Sequence, residues 1–344
     1  MKGGYLAYHL RMNKAVERMI FIDLLGKIGY LFPLYEYKYV GFGGPFLEDF
    51  KLIHNYLGIS YMVSLESDPD VVGRQEFNRP SSCIKLRHTT SEEYINDSND
   101  FDKKLILWLD YSEADELGNQ LTEFYDAIGK IKEGSIVKIT INAETESLRN
   151  AKIEEERFNG CAPADRMGII DAVRFDEFKK RVGNIKDIID PQNLTQEDVR
   201  KNKYPKTLFK MLKTISLKAV EGTQKKIFPL TSFVYADGQT MLTFTGIIIP
   251  KTYPDDYEAF LNKTGLSSYE FMLKKVNDTP TTIDVPNLSL FEKVYLNKLL
   301  PDNSNGIARL IKFKVDYEKD KSDIKLENYG KYYRYYPNFV KIFI

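Results

Sequence analysis

Three short stretches carry the residue types that could do chemistry. The first is Gly41-Phe42-Gly43-Gly44, which ends the β-prone run Lys38 to Phe42 and precedes a helical period from Phe46 to Leu57. A glycine turn between strand and helix lets backbone approach a ligand closely while helix N-terminal amides face it, which favours a nucleotide-type ligand. The second is Glu66-Ser67, closing the next apolar run, Ile59 to Leu65, 25 residues after Gly41. An acidic side chain at that place can accept hydrogen bonds from both hydroxyls of a ribose. The third is Asp110-Tyr111, after the run Lys104 to Leu109. A carboxylate at the end of a central strand can hold a cationic group, orient a substrate, or act as a general base if burial raises its pKa. Its structural alternative is the N-cap of the segment that follows.

These residues need a frame, and the chain between 13 and 141 alternates strand-like and helix-like segments. Asn13 to Ile28 repeats apolar residues at helical spacing, with Asn13 available as N-cap. Further strands are expected at Cys83 to Leu86 and Ser135 to Ile141, and helices up to Phe77 and over Asn119 to Ile131; Thr89 to Asn96 reads as a short helix or loop. Such alternation is the signature of a parallel sheet covered on both faces. From about 144 to 206 the sequence turns charged and loop-rich, as a solvated helical insertion would, and Leu208 to Val220 is again an amphipathic helix. Ile227 to Tyr235 and Thr240 to Ile249 form two β-rich runs joined across Asp237-Gly238, a tight-hairpin signal. The expected fold is α/β and Rossmann-like, mostly parallel with a terminal antiparallel hairpin, over residues 1–250. An extension, 251–344, follows, with helices at Asp255 to Lys263, Ser267 to Val276 and Leu288 to Leu299, the last capped by Ser289. Ile307 to Ile344 is expected to supply one or more strands.

Composition excludes several classes. The 344 residues are 43% hydrophobic and 28% charged, an ordinary globular balance rather than a disordered or fibrous one. Lysine plus arginine equals aspartate plus glutamate at 49 each, so no global field draws the protein to nucleic acid or to an anionic membrane. The two cysteines, Cys83 and Cys161, form no CxxC pair, and His9, His54 and His88 are too scattered to suggest a metal site. No apolar run is long enough to span a bilayer, and a cytoplasmic location is expected.

The choice of nucleotide turns on one position. The dinucleotide fingerprint wants a third glycine where this chain has Phe46, which disfavours NAD and FAD. Five parallel-type strands followed by a helix and a hairpin suit a class I methyltransferase sheet instead. The chain resembles a bacterial family of O-methyltransferases. The resemblance is carried by Arg11, Asn13, Lys14, Val16, Glu17 and Arg18; by Tyr39 to Gly43 with Asp49 and Phe50; and by Met62 to Glu66 and Glu76 to Pro80. Trp108 to Tyr111, Tyr235 to Gly238 and Met241 to Thr243 complete it, over most of residues 8–250. It implies S-adenosylmethionine as cofactor, with Gly41 and Gly43 along its amino-acid end, Glu66 at its ribose, Thr90-Ser91-Glu92 at its adenine edge, and Asp110 and Tyr111 near the methyl group. Many methyltransferases carry an acidic residue two places before the first glycine; here that residue is Tyr39.

Arg11, Lys14 and Arg18 fall three and four apart, so one helix face presents them, with Glu17 beside it. They can close over a carboxylate or phosphate of the substrate, as part of a lid with the insertion, or form a solvated face paired to Glu17. Near the C-terminus Lys331, Arg334 and Lys341 interleave with tyrosines, the mix that stacks bases, although Tyr-rich alternation equally describes a half-buried edge strand. The function expected is S-adenosylmethionine-dependent O- or N-methylation of an unidentified acceptor. A non-catalytic binding or scaffolding subunit of the same fold, motivated by Tyr39 and the lack of an obvious base, is the alternative; an NAD-linked oxidoreductase is a weaker third.

Overall fold

A computed structural model describes residues 11–97, 100–185, 188, 193–252, 257–273 and 278–338. Its N-terminal part runs α1 (Met12–Ile28), β1 (Lys38–Phe42), α2 (Glu48–Leu57), β2 (Tyr61–Glu66), α3 (Pro69–Asn78), β3 (Ile84–His88), α4 (Ser91–Asn96), β4 (Leu105–Asp110), α5 (Leu117–Lys130) and β5 (Ile136–Asn142). The insertion holds α6 (Ala151–Phe158) and α7 (Arg166–Arg181), and α8 (Tyr204–Ala219) leads into the hairpin of β6 (Lys225–Ala236) and β7 (Thr240–Pro250). Then come α9 (Tyr257–Lys263), β8 (Thr281–Ile283), α10 (Leu290–Asn297) and α11 (Lys319–Tyr332).

Among the described residues one sheet of eight strands, ordered β3-β2-β1-β4-β5-β7-β6-β8, organises the fold. The first five strands in that order are parallel; β7 runs antiparallel to both β5 and β6. This is the Rossmann-like sheet with a terminal antiparallel hairpin. Central strands are buried on both faces: Leu105–Leu109 is a continuous apolar run and Ile136–Asn142 is buried along its whole length, while the edge strand β3 exposes Lys85 and Arg87. Alternation sorts the side chains into two cores. Tyr39, Met62, Ile106, Trp108 and Phe233 meet α1 and α2; Val40, Val63, Leu107 and Ile139 meet α4, α5 and α8.

Helix α1 is buried on most of its circumference, charged residues included, as an element covered on both sides must be. Val16, Ile20, Leu24, Leu25 and Ile28 are fully buried between the sheet and the C-terminal extension. Tyr335 donates to Asp23 at 2.8 Å and Tyr269 to the Ile20 carbonyl at 3.2 Å, fastening that extension to the helix. The helix start departs from the expected pattern. Asn13 lies inside the first turn, and the cap comes from the hairpin: Asp237 accepts from the Asn13 N–H at 3.3 Å and the Lys14 N–H at 2.7 Å. Asn13 instead spans the gap, donating to the Ala236 carbonyl at 2.9 Å and accepting from the Val285 N–H at 2.8 Å.

Two expectations for the extension are corrected. Residues 267–273 are not helical beyond a single 3-10 turn, Leu266–Ser268; positions 274–277 lie outside the described residues. Tyr269, Phe271, Met272 and Leu273 are all buried, which one helix face would not allow, and the Leu273 N–H donates to the Leu230 carbonyl at 2.8 Å beside the β6 bulge. Among the described residues, the segment from 307 forms no strand. Its tyrosines 329, 332 and 336 sit at helical spacing and point into the core from α11 and the turn after it. The helix capped by Ser289 forms as expected, with a capping box to Glu292.

Between α1 and the sheet lies a fully buried ion pair, Lys138 to Glu17 at 2.8 Å, with the ammonium 3.7 Å from the Trp108 ring centroid and 4.0 Å from that of Phe21. Removing one partner strands the other charge in the core. Lys138→Met alone should therefore cost about 3–5 kcal/mol, whereas the pair Lys138→Met with Glu17→Leu should recover most of that loss. Guanidinium unfolding midpoints of the two variants check it.

Candidate functional site

Strand order reverses between β1 and β4, so the carboxyl ends of β1, β2 and β4 meet at a topological switch point, the place where open α/β sheets generally take a ligand. Gly41 pairs with Ser64 on one side and Trp108 on the other. Since successive side chains point to opposite faces, Gly41, Ser64, Glu66, Trp108 and Asp110 belong to the face covered by α1 and α2.

The glycine turn is tied down from β2 and α3. Gly43 N–H donates to Ser64 Oγ at 3.2 Å, Ser64 donates to Gln75 Oε1 at 3.2 Å, and Gln75 Nε2 donates to the Gly44 carbonyl at 2.9 Å. A Cβ on Gly43 would run into Leu47 Cδ2 and lie 2.5 Å from Ser64 Oγ, so the protein's own packing requires glycine there. Gly44 differs: its φ is +51° and nothing lies within 4 Å of where a Cβ would stand, which leaves the turn open on that side. Leu47 adopts φ +52°, a left-handed conformation that costs a non-glycine residue about 1–2 kcal/mol and that the surrounding turn must hold. Phe46 occupies the third-glycine position, and the Arg74 guanidinium stacks over it at 4.7 Å.

Glu66 is half-buried at the end of β2. Its Oε1 accepts from the Asp68 N–H at 3.0 Å, and its carbonyl accepts from the Thr89 N–H at 3.0 Å. Asp68 caps α3, and His88 Nε2 lies 3.0 Å from the Ser67 carbonyl, so the backbone around the carboxylate is held on both sides.

Asp110 belongs to a cluster built with α1. Lys14 Nζ and Arg18 Nη2 lie 3.4 and 3.3 Å from the same oxygen, Asp110 Oδ2. The Arg18 guanidinium also forks onto Asp49, with Nη2 to Oδ2 at 3.0 Å and Nε to Oδ1, and sits 5.1 Å over Trp108. Arg18 is 2% exposed, so of the two readings of this helix face the solvated one does not hold at Arg18. Burial pushes the Asp110 carboxyl up, but Lys14 and Arg18 outweigh it and hold its pKa at about 2. The raised pKa that a general base would need is thus absent. Burial lowers the Lys14 pKa, as does Arg18 beside it. Arg11 precedes the helix, and its charge acts on Lys14 and Asp237.

Tyr111 points to the other face. Its hydroxyl donates to Glu123 at 2.6 Å and reaches Ser91 at 3.5 Å, and its ring meets Phe42 edge-on at 5.3 Å. Burial and then Glu123 push its pKa far up, so it remains a protonated donor. Thr90 is committed to the capping box of α4; Ser91 is half-buried and Glu92 exposed. Asp110 does not cap the following helix, since α5 begins at Leu117. In the C-terminal cluster, Tyr332 and Tyr336 are buried and Tyr332 stacks on Phe271 at 5.7 Å, a helix end in the core rather than an edge strand. Lys331 lies 5.5 Å from the Phe271 ring and Arg334 lies 5.7 Å from Tyr333; Lys341 and His9 fall outside the described residues. Among the described residues no group of His, Cys, Asp or Glu could hold a metal, and no helix is long and apolar enough to cross a membrane.

Sequence reasoning passed over Lys138, Ser64, Gln75 and the ion-pairing role of Asp49. Lys138 carried a signal: a lone charge inside an otherwise apolar central strand must be paired. Gln75 carried none, because its partners, the Ser64 hydroxyl and the Gly44 carbonyl, lie 11 and 31 residues away.

The family model described as "Putative O-methyltransferase" matches residues 6–344. The chain belongs to this family. No curated protein matches it. Among solved structures, similarity extends to Methanococcus jannaschii fibrillarin, a pre-rRNA processing protein (12% identity, TM-score 0.35, 62% of this chain and 66% of that one). It extends also to P. horikoshii TYW2 in complex with MeSAdo (9%, 0.33, 62% and 58%) and to the N-methyltransferase NodS of Bradyrhizobium japonicum (10%, 0.34, 68% and 97%). The chain thus spans less than two thirds of the first two, and at these identities and scores none of the three bears on ligand or acceptor.

The Asp110 cluster makes this family member acid-sensitive in a defined window. The folded pKa, about 2, lies below the ordinary 3.8, so the stability it contributes is present above pH 3.8 and lost as pH falls through 2. Between pH 5 and pH 2 the unfolding free energy should fall by about 2 kcal/mol more in the wild type than in Asp110→Asn. Urea titrations at several pH values measure that difference.

Proposed function

We propose that a crevice at this switch point binds S-adenosylmethionine and that the protein transfers its methyl group to an oxygen or nitrogen of an acceptor. The observation that carries this reading is the shared face: the open left-handed turn at Gly44 and the carboxylate of Glu66 stand at the ends of adjacent, paired strands. Glu66 would hold the ribose hydroxyls, since its Oε2 accepts no hydrogen bond among the described residues. Gly43 and Gly44 would lie along the amino-acid end, and Ser91 and Glu92 at the adenine edge. When bound, the cofactor supplies an activated methyl group, so the chain's own contribution is to position the acceptor and exclude water.

Asp110, held ionised by Lys14 and Arg18, would serve as a fixed negative charge that orients groups rather than as a proton acceptor. Tyr235 lies on the same face, and burial followed by the Asp110 charge keeps its hydroxyl protonated. With Lys14 and Arg18 engaged on Asp110 and Asp49, an anionic acceptor finds these cations already neutralised. The same engagement of Asp110 favours one second reading, a subunit that binds the cofactor without turnover.

Calorimetric titration with S-adenosylmethionine and S-adenosylhomocysteine should show saturable binding to the wild type. Glu66→Ala should weaken it by about 1–3 kcal/mol, the value of hydrogen bonds to a charged group. Absence of heat and of any thermal shift at millimolar ligand would remove the proposal, and binding of NAD in its place would redirect it.

A further inference from the structure

Arg181 ties the insertion to the loop that leaves β4. Arg181, at the end of α7, is nearly buried, and its guanidinium contacts three separate segments. Nη1 donates to the Ala114 carbonyl at 3.2 Å and to Ser147 Oγ at 3.3 Å; Nη2 donates to the Ser147 carbonyl at 2.6 Å and pairs with Asp115 at 2.7 Å; Nε pairs with Glu177 at 3.1 Å. Ala114 and Asp115 belong to the loop that leaves β4 directly after Asp110, and Ser147 to the turn after β5. The rest of that loop is fastened as well. The Tyr111 N–H donates to the Thr140 carbonyl at 3.0 Å, the Ser112 carbonyl accepts from Asn142 at 3.3 Å, and the Glu113 carbonyl accepts from Gln120 at 2.6 Å. Arg181 therefore supplies the ties at the loop's far end, and they are the ones that originate in the insertion.

A second feature brings the same two elements together. Gly118, in the first turn of α5, lies so close to α7 that a Cβ there would run into Asn184 Oδ1 and the Arg181 carbonyl. A backbone oxygen cannot swing aside, so the contact needs glycine. The cleft between the two elements, lined by Asp115, Glu116, Asn119, Glu177, Lys180 and Asn184, holds groups that largely bond one another: Asn184 donates to Asn119 at 2.9 Å and Asn119 to Glu116 at 2.7 Å. It acts as a joint between elements.

We propose that Arg181 is a positioning residue for the crevice: it fixes the loop 111–116, whose Tyr111 packs on Phe42 of the glycine turn, and so makes cofactor affinity depend on the docking of the insertion. The chain of contacts is Arg181 to the Ala114 and Asp115 segment, along five residues of pinned backbone to Tyr111, and across 5.3 Å to Phe42. A guanidinium is suited to this because its fork reaches several acceptors at once, which a lysine ammonium at the same distance cannot reproduce. A site whose supporting shell loosens loses geometry before it loses fold. The inference rests on the cofactor reading of the crevice, but its mechanical half stands apart from it.

The test compares wild type with Arg181→Met, Arg181→Lys and Gly118→Ala, and uses Arg157→Gln, which breaks the exposed Arg157–Asp176 pair of the same insertion, as control. Two quantities are read on each: amide hydrogen exchange of 111–118 against β4 and β5, and the affinity for S-adenosylhomocysteine well below the melting temperature. Expected for Arg181→Met and Gly118→Ala is exchange in 111–118 at least about tenfold faster with the strands unchanged, together with a several-fold loss of affinity; Arg181→Lys should recover neither fully, and Arg157→Gln should match wild type. Wild-type protection of the loop in both Arg181→Met and Gly118→Ala overturns the proposal. So does a loosened loop with unchanged affinity. If Arg181→Met unfolds globally, Arg181→Lys and Gly118→Ala decide the same question. Should the wild type bind no S-adenosylhomocysteine, the cofactor reading fails by itself, and the exchange result still decides whether Arg181 holds the loop.

Discussion

The structure depends on a guanidinium placed where water cannot reach it. Arg18 lies between Asp49 and Asp110 and over Trp108, and so joins α1, the first turn of α2 and the end of β4 at one point. A buried charge tolerates few alternatives, because any shift that breaks a contact leaves an uncompensated ion. The second pair, Lys138 with Glu17, adds the same condition from β5. Together they fasten α1 to the sheet beside the apolar contacts of Val16, Ile20, Leu24 and Leu25 and the edge-on contact of Phe21 with Trp108.

That geometry decides what the crevice offers. Because α1 is held against the carboxyl edge, Asp110 faces two cations and keeps its charge, and Tyr111, one residue later, turns to the opposite core. The glycine turn stays open at Gly44 because Ser64 and Gln75 hold its other polar groups from below. Methyl transfer from a sulfonium asks for orientation and exclusion of water more than for proton transfer, and a rigid, electrically neutral cluster with an open turn beside it suits that demand.

The C-terminal extension belongs to the same economy of contacts. It covers α1 from outside, supplies β8 to the sheet, and places Val285 on the Asn13 side chain at the helix start. The hairpin tip completes the enclosure, since Asp237 caps the same turn. The start of α1 thus draws on two distant parts of the chain, the hairpin tip and the extension.

Much of this was readable from residue order. The strand and helix alternation, the glycine turn after the first strand, Glu66 at the end of the second and the Asp237-Gly238 hairpin all follow from local periodicity and turn chemistry, which act over a few residues. The tyrosines at 329, 332 and 336 carried a helical period too, hidden by β-prone neighbours. Tertiary structure alone decided the rest. Spacing placed Lys14 and Arg18 on one helix face, but whether that face met water or Asp49 and Asp110 depended on how α1 packs. Likewise Asp110, a possible base by position, is held ionised by Lys14 and Arg18, and the cap of α1 came from 224 residues away, because charge and hydrogen-bond partners are set by distance in space and not along the chain.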